Sequence, residues 1–459
     1  AMLGEPSDAR DLTDVQWGSQ SLSAADIAQI LADIERASPS RGSLHALSVA
    51  AAAPPPAART AVVRAHAEGE QGDAPGEMPA EMQQHRVDWW SRQATLDLDA
   101  DRLIFSNRFQ VAAFDLVQRR WLWRTGLAGD QGRTHQLGLA PMRPLLVGER
   151  IVVRRFHRTL PLLACLERST GKVLWSAATA PDVAVVSDPF IMHGRLWAFT
   201  AARLDRTLQL SLTQFDGTSG TPIRGLPCFS LQESWWHDHV CQVQVDGDRC
   251  YVVCGGATFA CDALGNLLWL RQAWRVPPLL DSAWVEQHHA PPIVAGETVL
   301  AFQPGVPVVV ALEAGTGKRL WQRAAPDVRR MLGQSDGRLF LETASGVEAW
   351  NLHGGQRLWR SVQAGLLHAA FCGEPGGLVL TRATTSGNPQ RTTVAMVWLS
   401  LADGRERAKD VVAEVPGDTV RFGPAAAAGD RIWGFLGRGT ADQKRELVEL
   451  APPTPERAE

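Results

Sequence analysis

One tyrosine serves the whole 459-residue chain, beside 17 tryptophans and 14 phenylalanines. Large aromatic surface with a polar handle therefore falls to the indole ring. No run of 18 consecutive apolar residues occurs, so the sequence offers no membrane-spanning helix. Charge of one sign is also missing. The 46 Lys+Arg against 49 Asp+Glu give a net charge of −3, which argues against a nucleic-acid-binding surface. Cysteine is sparse and odd in number: Cys165, Cys228, Cys241, Cys250, Cys254, Cys261 and Cys372. In a chain this long that count does not build a disulfide framework. Most of these cysteines stand in apolar runs such as "RCYVVCGG" and read as small core residues. No Gly-x-Ser-x-Gly elbow, Walker loop or His-Glu-x-x-His helix is present, which removes the hydrolase, nucleotide-binding and zincin signatures.

What the chain does have is repetition. "CLERSTGKVLW" at 165 and "ALEAGTGKRLW" at 311 are versions of one phrase, and "AFDLVQRRWLW" and "AWNLHGGQRLW" are looser ones. Aligned on the third residue, the anchors are Asp115, Glu167, Asp216, Asp262, Glu313, Asn351, Ser400 and Glu449. They are spaced by 52, 49, 46, 51, 38, 49 and 49 residues. That period exceeds a helical hairpin and suits one four-stranded sheet per repeat. A second signal interleaves with it. Tight-turn tetrapeptides ("DADR" at 99, "VGER" at 147, "MHGR" at 192, "DGDR" at 246, "AGET" at 295, "SDGR" at 335, "EPGG" at 374, "AGDR" at 428) separate apolar, β-branched runs. Each reads as a hairpin. A four-stranded sheet cannot bury both faces alone, but radial stacking of such sheets does. The expected fold is therefore all-β: an eight-bladed β-propeller of four-stranded antiparallel blades. In it Trp123, Trp175, Trp269, Trp321 and Trp359 offer flat surfaces between blades. Gly171, Gly317, Gly355 and Gly404 free the final turn, and the anchor accepts backbone hydrogen bonds there.

These phrases resemble the tryptophan-docking motif, Ala-x-Asp-x-x-Thr-Gly-x-x-x-Trp, of the quinoprotein (PQQ) dehydrogenase-like eight-bladed propellers. Ala311, Glu313, Thr316, Gly317 and Trp321 match it, with Glu for Asp. The unit at 260 is one residue short, and those at 214 and 398 carry Arg224 and Ala408 in place of Trp. A WD40 reading fits worse, because no repeat Trp is followed by Asp. The resemblance covers roughly residues 85–451. Enzymes of the family bind a quinone over the axis with a vicinal Cys-Cys disulfide, a stacking Trp and Glu, Asn and Asp around Ca²⁺. This chain has no Cys-Cys pair, so PQQ with Ca²⁺ is not expected. Members lacking that site include an envelope scaffold that holds other proteins. The resemblance thus implies a non-catalytic, monomeric propeller of the bacterial periplasm or cell envelope that binds protein through one face. The alternative is a quinone- or metal-dependent oxidoreductase with its site over the axis.

Three regions are expected. Residues 1–84 form an arm with one short helix, from the apolar stripe Ile27, Ile30, Leu31 and Ile34, followed by a Pro/Ala/Gly-rich linker. Residues 85–451 form the propeller, with "HRVDWWSR" at 85–92 supplying the closing strand of the last blade. Residues 452–459 form a tail. Histidines make the one candidate metal site. His237 and His239, in "SWWHDHVCQ", and His288 and His289, in "WVEQHHAPP", each precede the first hairpin of their unit. Neutral imidazoles meeting above the axis would suit a transition metal, although this spacing matches no known metal signature.

Overall fold

The computed structural model describes residues 62–66 and, between 95 and 450, all but 100, 107–109, 127–142, 158–159, 178, 181, 205–206, 233–239, 255–256, 273–289, 304–305, 373–376, 388–389, 417–419, 429–430 and 439–444. The expected helix in the arm and the segment 85–92 lie outside these residues, as does the tail.

The described residues hold strands and no helix, arranged as antiparallel sheets. In chain order, sheet 1 spans Thr95–Asp99 to Arg120–Gly126, and sheet 2 spans Leu145–Val147 to Val173–Ser176. Sheet 3 spans Val183–Val185 to Pro222–Gln232, sheet 4 Gln242–Asp246 to Leu267–Gln272, and sheet 5 Ile293–Ala295 to Arg319–Ala324. Sheet 6 spans Val328–Ser335 to Arg357–Val362, sheet 7 Leu366–Phe371 to Glu406–Pro416, and sheet 8 Val420–Ala428 to Arg445–Leu450. Apart from sheets 3 and 8, each is a four-strand meander in sequence order, the pairing that tight hairpins impose.

The sheets form a propeller because alternate residues of one strand face opposite neighbours. In sheet 1, Leu103, Phe105, Ala112 and Phe114 pack with Ala426 and Trp433 of sheet 8. The residues between them, Ile104, Val111 and Ala113, pack with Ile151, Val153, Ala164 and Leu166 of sheet 2. The period-two pattern that would leave one face wet in an isolated sheet is apolar on both faces here, and both are buried. The same division recurs at every joint through sheets 7 and 8, where Met396 and Trp398 meet Phe422 and Leu436. The core is thus a circle of inter-sheet layers, and sheet 8 packing on sheet 1 closes it.

Two expectations are corrected. Seven of the sheets have the expected four strands, but sheet 3 has five. Its inner strand is broken into Val183–Val185 and Phe190–Met192, both paired to Arg195–Leu204. At the break, the Ser187 hydroxyl accepts the Phe199 amide at 2.8 Å, in place of a ladder carbonyl. The proline of "SDP" cannot donate to a ladder, which favours the interruption. The closing strand is also not 85–92. The outer edge of Arg445–Leu450 is taken by Val62–His66, in register from Val62↔Leu450 to His66↔Glu446. A strand from the linker region completes sheet 8, and no edge position on Arg445–Leu450 remains for 85–92.

Candidate functional site

The repeated phrase builds the joints. The indole N–H of each of five tryptophans donates to the carbonyl of the residue after the next sheet's anchor. Trp123 reaches Arg168 at 3.1 Å, Trp175 reaches Gly217 at 3.1 Å, Trp269 reaches Ala314 at 2.9 Å, Trp321 reaches Leu352 at 2.8 Å, and Trp359 reaches Leu401 at 3.2 Å. Each ring lies flat on a turn glycine of that neighbour: Gly171, Gly220, Gly317, Gly355 and Gly404 respectively. A Cβ on Gly317 would sit 2.5 Å from Trp269, and φ there is +67°. Glycine answers both demands, close approach and left-handed backbone. The anchors hold the turns. Asp115 Oδ1 accepts the amides of Val117 and Gln118 at 2.8 and 2.7 Å, and Asn351 Oδ1 those of His353 and Gly354 at 2.9 and 3.0 Å. Where the anchor is Glu, its carboxylate instead takes the hydroxyl of Thr170 or Thr316.

Where the phrase lacks Trp, the joint is filled differently. Arg224 turns over the Trp197 ring, 5.3 Å from its centroid, and bonds Gln214 Oε1 at 3.1 Å. Leu226, two residues on, occupies the space over Gly265. At the other such joint Ala408 pairs with Trp398, whose buried indole fills the layer from the third strand of sheet 7.

The inner strands carry buried charge. Arg154, wholly buried on sheet 2, reaches across to Asp188 at the break in sheet 3, with both Nε and Nη2 3.0 Å from Oδ1. Burial pushes the Asp188 carboxyl up, against the opposing pull of Arg154 and Arg143. Asp97 on the inner strand of sheet 1 is raised in the same way by burial, with Arg143 opposing. These two carboxylates and two guanidinium groups act on one another across sheets 1 to 3, but burial outweighs the attraction at both carboxyls. Across the ring, Arg330 of sheet 6 donates to Glu342 and to the Ala369 carbonyl, both at 2.6 Å. The same Nη2 that donates to Ala369 stands 3.4 Å from His368 Nε2. Burial first, and the Arg330 charge second, hold His368 down to about 3.

That depression has a pH consequence. Unfolded, His368 takes a proton near 6.5; folded, it does not until about 3. The unfolded state therefore binds the extra proton between these values, and stability falls as pH drops from 6.5 toward 3. His368→Gln keeps an acceptor for Arg330 without the titration. Urea midpoints at pH 7.5 and 4.5 should differ less in the variant than in the parent; equal differences would reject the linkage.

The predicted metal ligands His237, His239, His288 and His289 lie outside the described residues. Among the described residues no three His, Cys, Asp or Glu side chains stand close enough to hold a metal ion. Sequence reasoning missed Arg154–Asp188 and Leu226. Only the "SDP" interruption and the displaced apolar residue after Arg224 could have signalled them.

The family described as outer membrane protein assembly factor BamB matches residues 107–361 and 260–428. The chain belongs to that family. Its fold is similar to that of BamB from Moraxella catarrhalis, at 14% identity and a TM-score of 0.50, over 78% of this chain and 94% of that one. The WD40 domain of SCAP from fission yeast also matches, at 10% identity and a TM-score of 0.44, over 79% and 97%. No curated protein sequence matches the chain. Among the described residues, no helix of this BamB-family chain is long and apolar enough to cross a membrane.

Proposed function

We propose that this BamB-family chain is a non-catalytic, protein-binding scaffold of the bacterial cell envelope that takes part in outer-membrane protein assembly. The family match over residues 107–428 carries this reading. We read the five-stranded sheet 3 as a blade with a broken inner strand, which makes the ring an eight-bladed propeller, with the five indoles as its docking residues. A four-strand meander puts its docking turn on one face. The connector to the next sheet and the central hairpin fall on the opposite face. The longest connectors, between residues 126 and 143, 232 and 240, and 272 and 290, therefore start and end on that second face. They include Trp235, Trp236, Trp274 and Trp284 in the sequence, and indole is the residue type that most often dominates binding interfaces. The partner surface is assigned to this connector face.

A photo-crosslinking residue placed at Ala344, exposed in the central hairpin of sheet 6, should capture a protein of the outer-membrane assembly apparatus in cells. The same probe at Lys318, in an opposite docking turn, should not. Loss of the gene should lower the outer-membrane protein content. Equal capture from both positions, or unchanged outer-membrane content, would overturn the assignment. Dye reduction that depends on added quinone and Ca²⁺ would replace the scaffold with the oxidoreductase.

A further inference from the structure

The joint between sheets 3 and 4 is the one where Leu226 replaces the docking indole. Leucine has no N–H to donate, so the bond made at the five indole joints is missing here. Two residues further along the same strand, Cys228 stands at an irregularity in the ladder, between Pro227 and Phe229, which pair with Ser211 and Leu210. Its Sγ lies 3.9 Å from Cys261 Sγ on the third strand of sheet 4. None of the seven cysteines is in a disulfide. Cys261 is fully buried, whereas Cys228 is half-buried. Cys250, the neighbour of Cys261 within sheet 4, is fully buried.

We infer that Cys228 and Cys261 are a modification site: a dithiol that closes to a disulfide and covalently ties sheet 3 to sheet 4 at the joint without a docking tryptophan. A disulfide needs the sulfurs at about 2.05 Å; they stand at 3.9 Å, so closure requires the two side chains to turn toward each other. The oxidant is a small-molecule or protein disulfide. The Cys228 thiolate attacks one of its sulfurs and forms a mixed disulfide, releasing the first thiolate. Cys261, whose thiol the bonds to Cys228 and Cys250 and its burial push up, gives its proton to the first released thiolate as it attacks the Cys228 sulfur, and the second thiolate leaves and is protonated by solvent. Two electrons and two protons pass to the oxidant, which leaves as two thiols. The Cys261 hydrogen bond is the leading influence holding the Cys228 thiol below its usual range, which favours Cys228 as first attacker. The inference does not depend on the scaffold role. An oxidising envelope would maintain the bond, and the joint would form it in any oxidising buffer.

The full chain is incubated with glutathione disulfide, capped with iodoacetamide, digested without reductant and mapped by mass spectrometry. The expected result is a Cys228–Cys261 linked peptide, two of the seven thiols lost, and a Tm raised by on the order of 5 °C over the reduced protein. Cys228→Ser should abolish the linked peptide and the Tm rise, whereas Cys250→Ser should keep both. Seven capped thiols after oxidation, a Cys250–Cys261 linkage, or a linked peptide without any Tm rise would each overturn it. The mapping of the unsubstituted protein decides the pairing even where a variant fails to fold.

Discussion

A chain that begins at residue 76 will unfold at lower temperature and with less cooperativity than one that begins at residue 58. Both lack residues 1–57; they differ in 58–75, which include Val62–His66, the outer strand of sheet 8. That strand has five register pairs with Arg445–Leu450. At roughly 0.2–1 kcal/mol for each pair, its loss costs a few kcal/mol. The damage is not confined to an outer edge. Sheet 8 is the last in chain order and packs through Ala426 and Trp433 on sheet 1, so loosening it opens the ring where its ends meet. The bared edge of Arg445–Leu450 is also a template for pairing between chains. The shorter chain should therefore show concentration-dependent aggregation that the longer one does not. Both retain 85–92. If those residues could close the ring, the two chains would have the same Tm and urea midpoint, and that outcome would reject Val62–His66 as the closing strand.

This contrast shows which parts of the fold were legible. The hairpin turns were, because their chemistry is local. Gly148, Gly194, Gly247, Gly296 and Gly337 all adopt positive φ, as does Asp336 just before "GR", and few other residues do so cheaply. The closing strand was not, because an outer strand has one partner and needs no two-faced apolar pattern. "VVRAH" sits between Pro-rich and acidic stretches and carries no tryptophan. "HRVDWWSR" carries two, and so looked like the outer strands of the other units. The ionic bridge from Arg154 to Asp188 was illegible for another reason. It joins strands of two sheets, 34 residues apart, through a break that only tertiary pairing reveals. The candidate site divides in the same way. The tryptophans and turn glycines were readable from the recurring phrase, with eight residues from anchor to Trp in four units and seven in the unit at 260, whereas the Leu226 and Cys228 joint arose where the phrase failed.

Trp321→Ala will cost about 3–5 kcal/mol, in the range of other large buried aromatics. The ring is buried between sheets 5 and 6 with Leu300, Val309, Met331 and Leu352, and its N–H donates to the Leu352 carbonyl at 2.8 Å. Truncation leaves a cavity and an orphaned carbonyl together. The adjacent Leu320 projects from the same strand and is 50% exposed, so Leu320→Ala should stay within about 0.5 kcal/mol. The partner glycine supplies the sharper test. Gly355 has φ +69°, and a Cβ there would lie 2.6 Å from Trp321 Cε3. Gly355→Ala alone thus carries left-handed strain of roughly 1–2 kcal/mol plus the collision with the indole. In the double variant the indole is gone, and what remains is the backbone strain and a 2.8 Å approach to Cγ of the flexible Arg323 side chain. The double variant should therefore be more stable than the sum of the two single losses predicts, by an interaction energy of about 0.5–3 kcal/mol. Urea denaturation of the four proteins measures this directly. Losses that add within about 0.3 kcal/mol would mean that indole and glycine do not meet, and the joint would have to be held by the apolar layer alone.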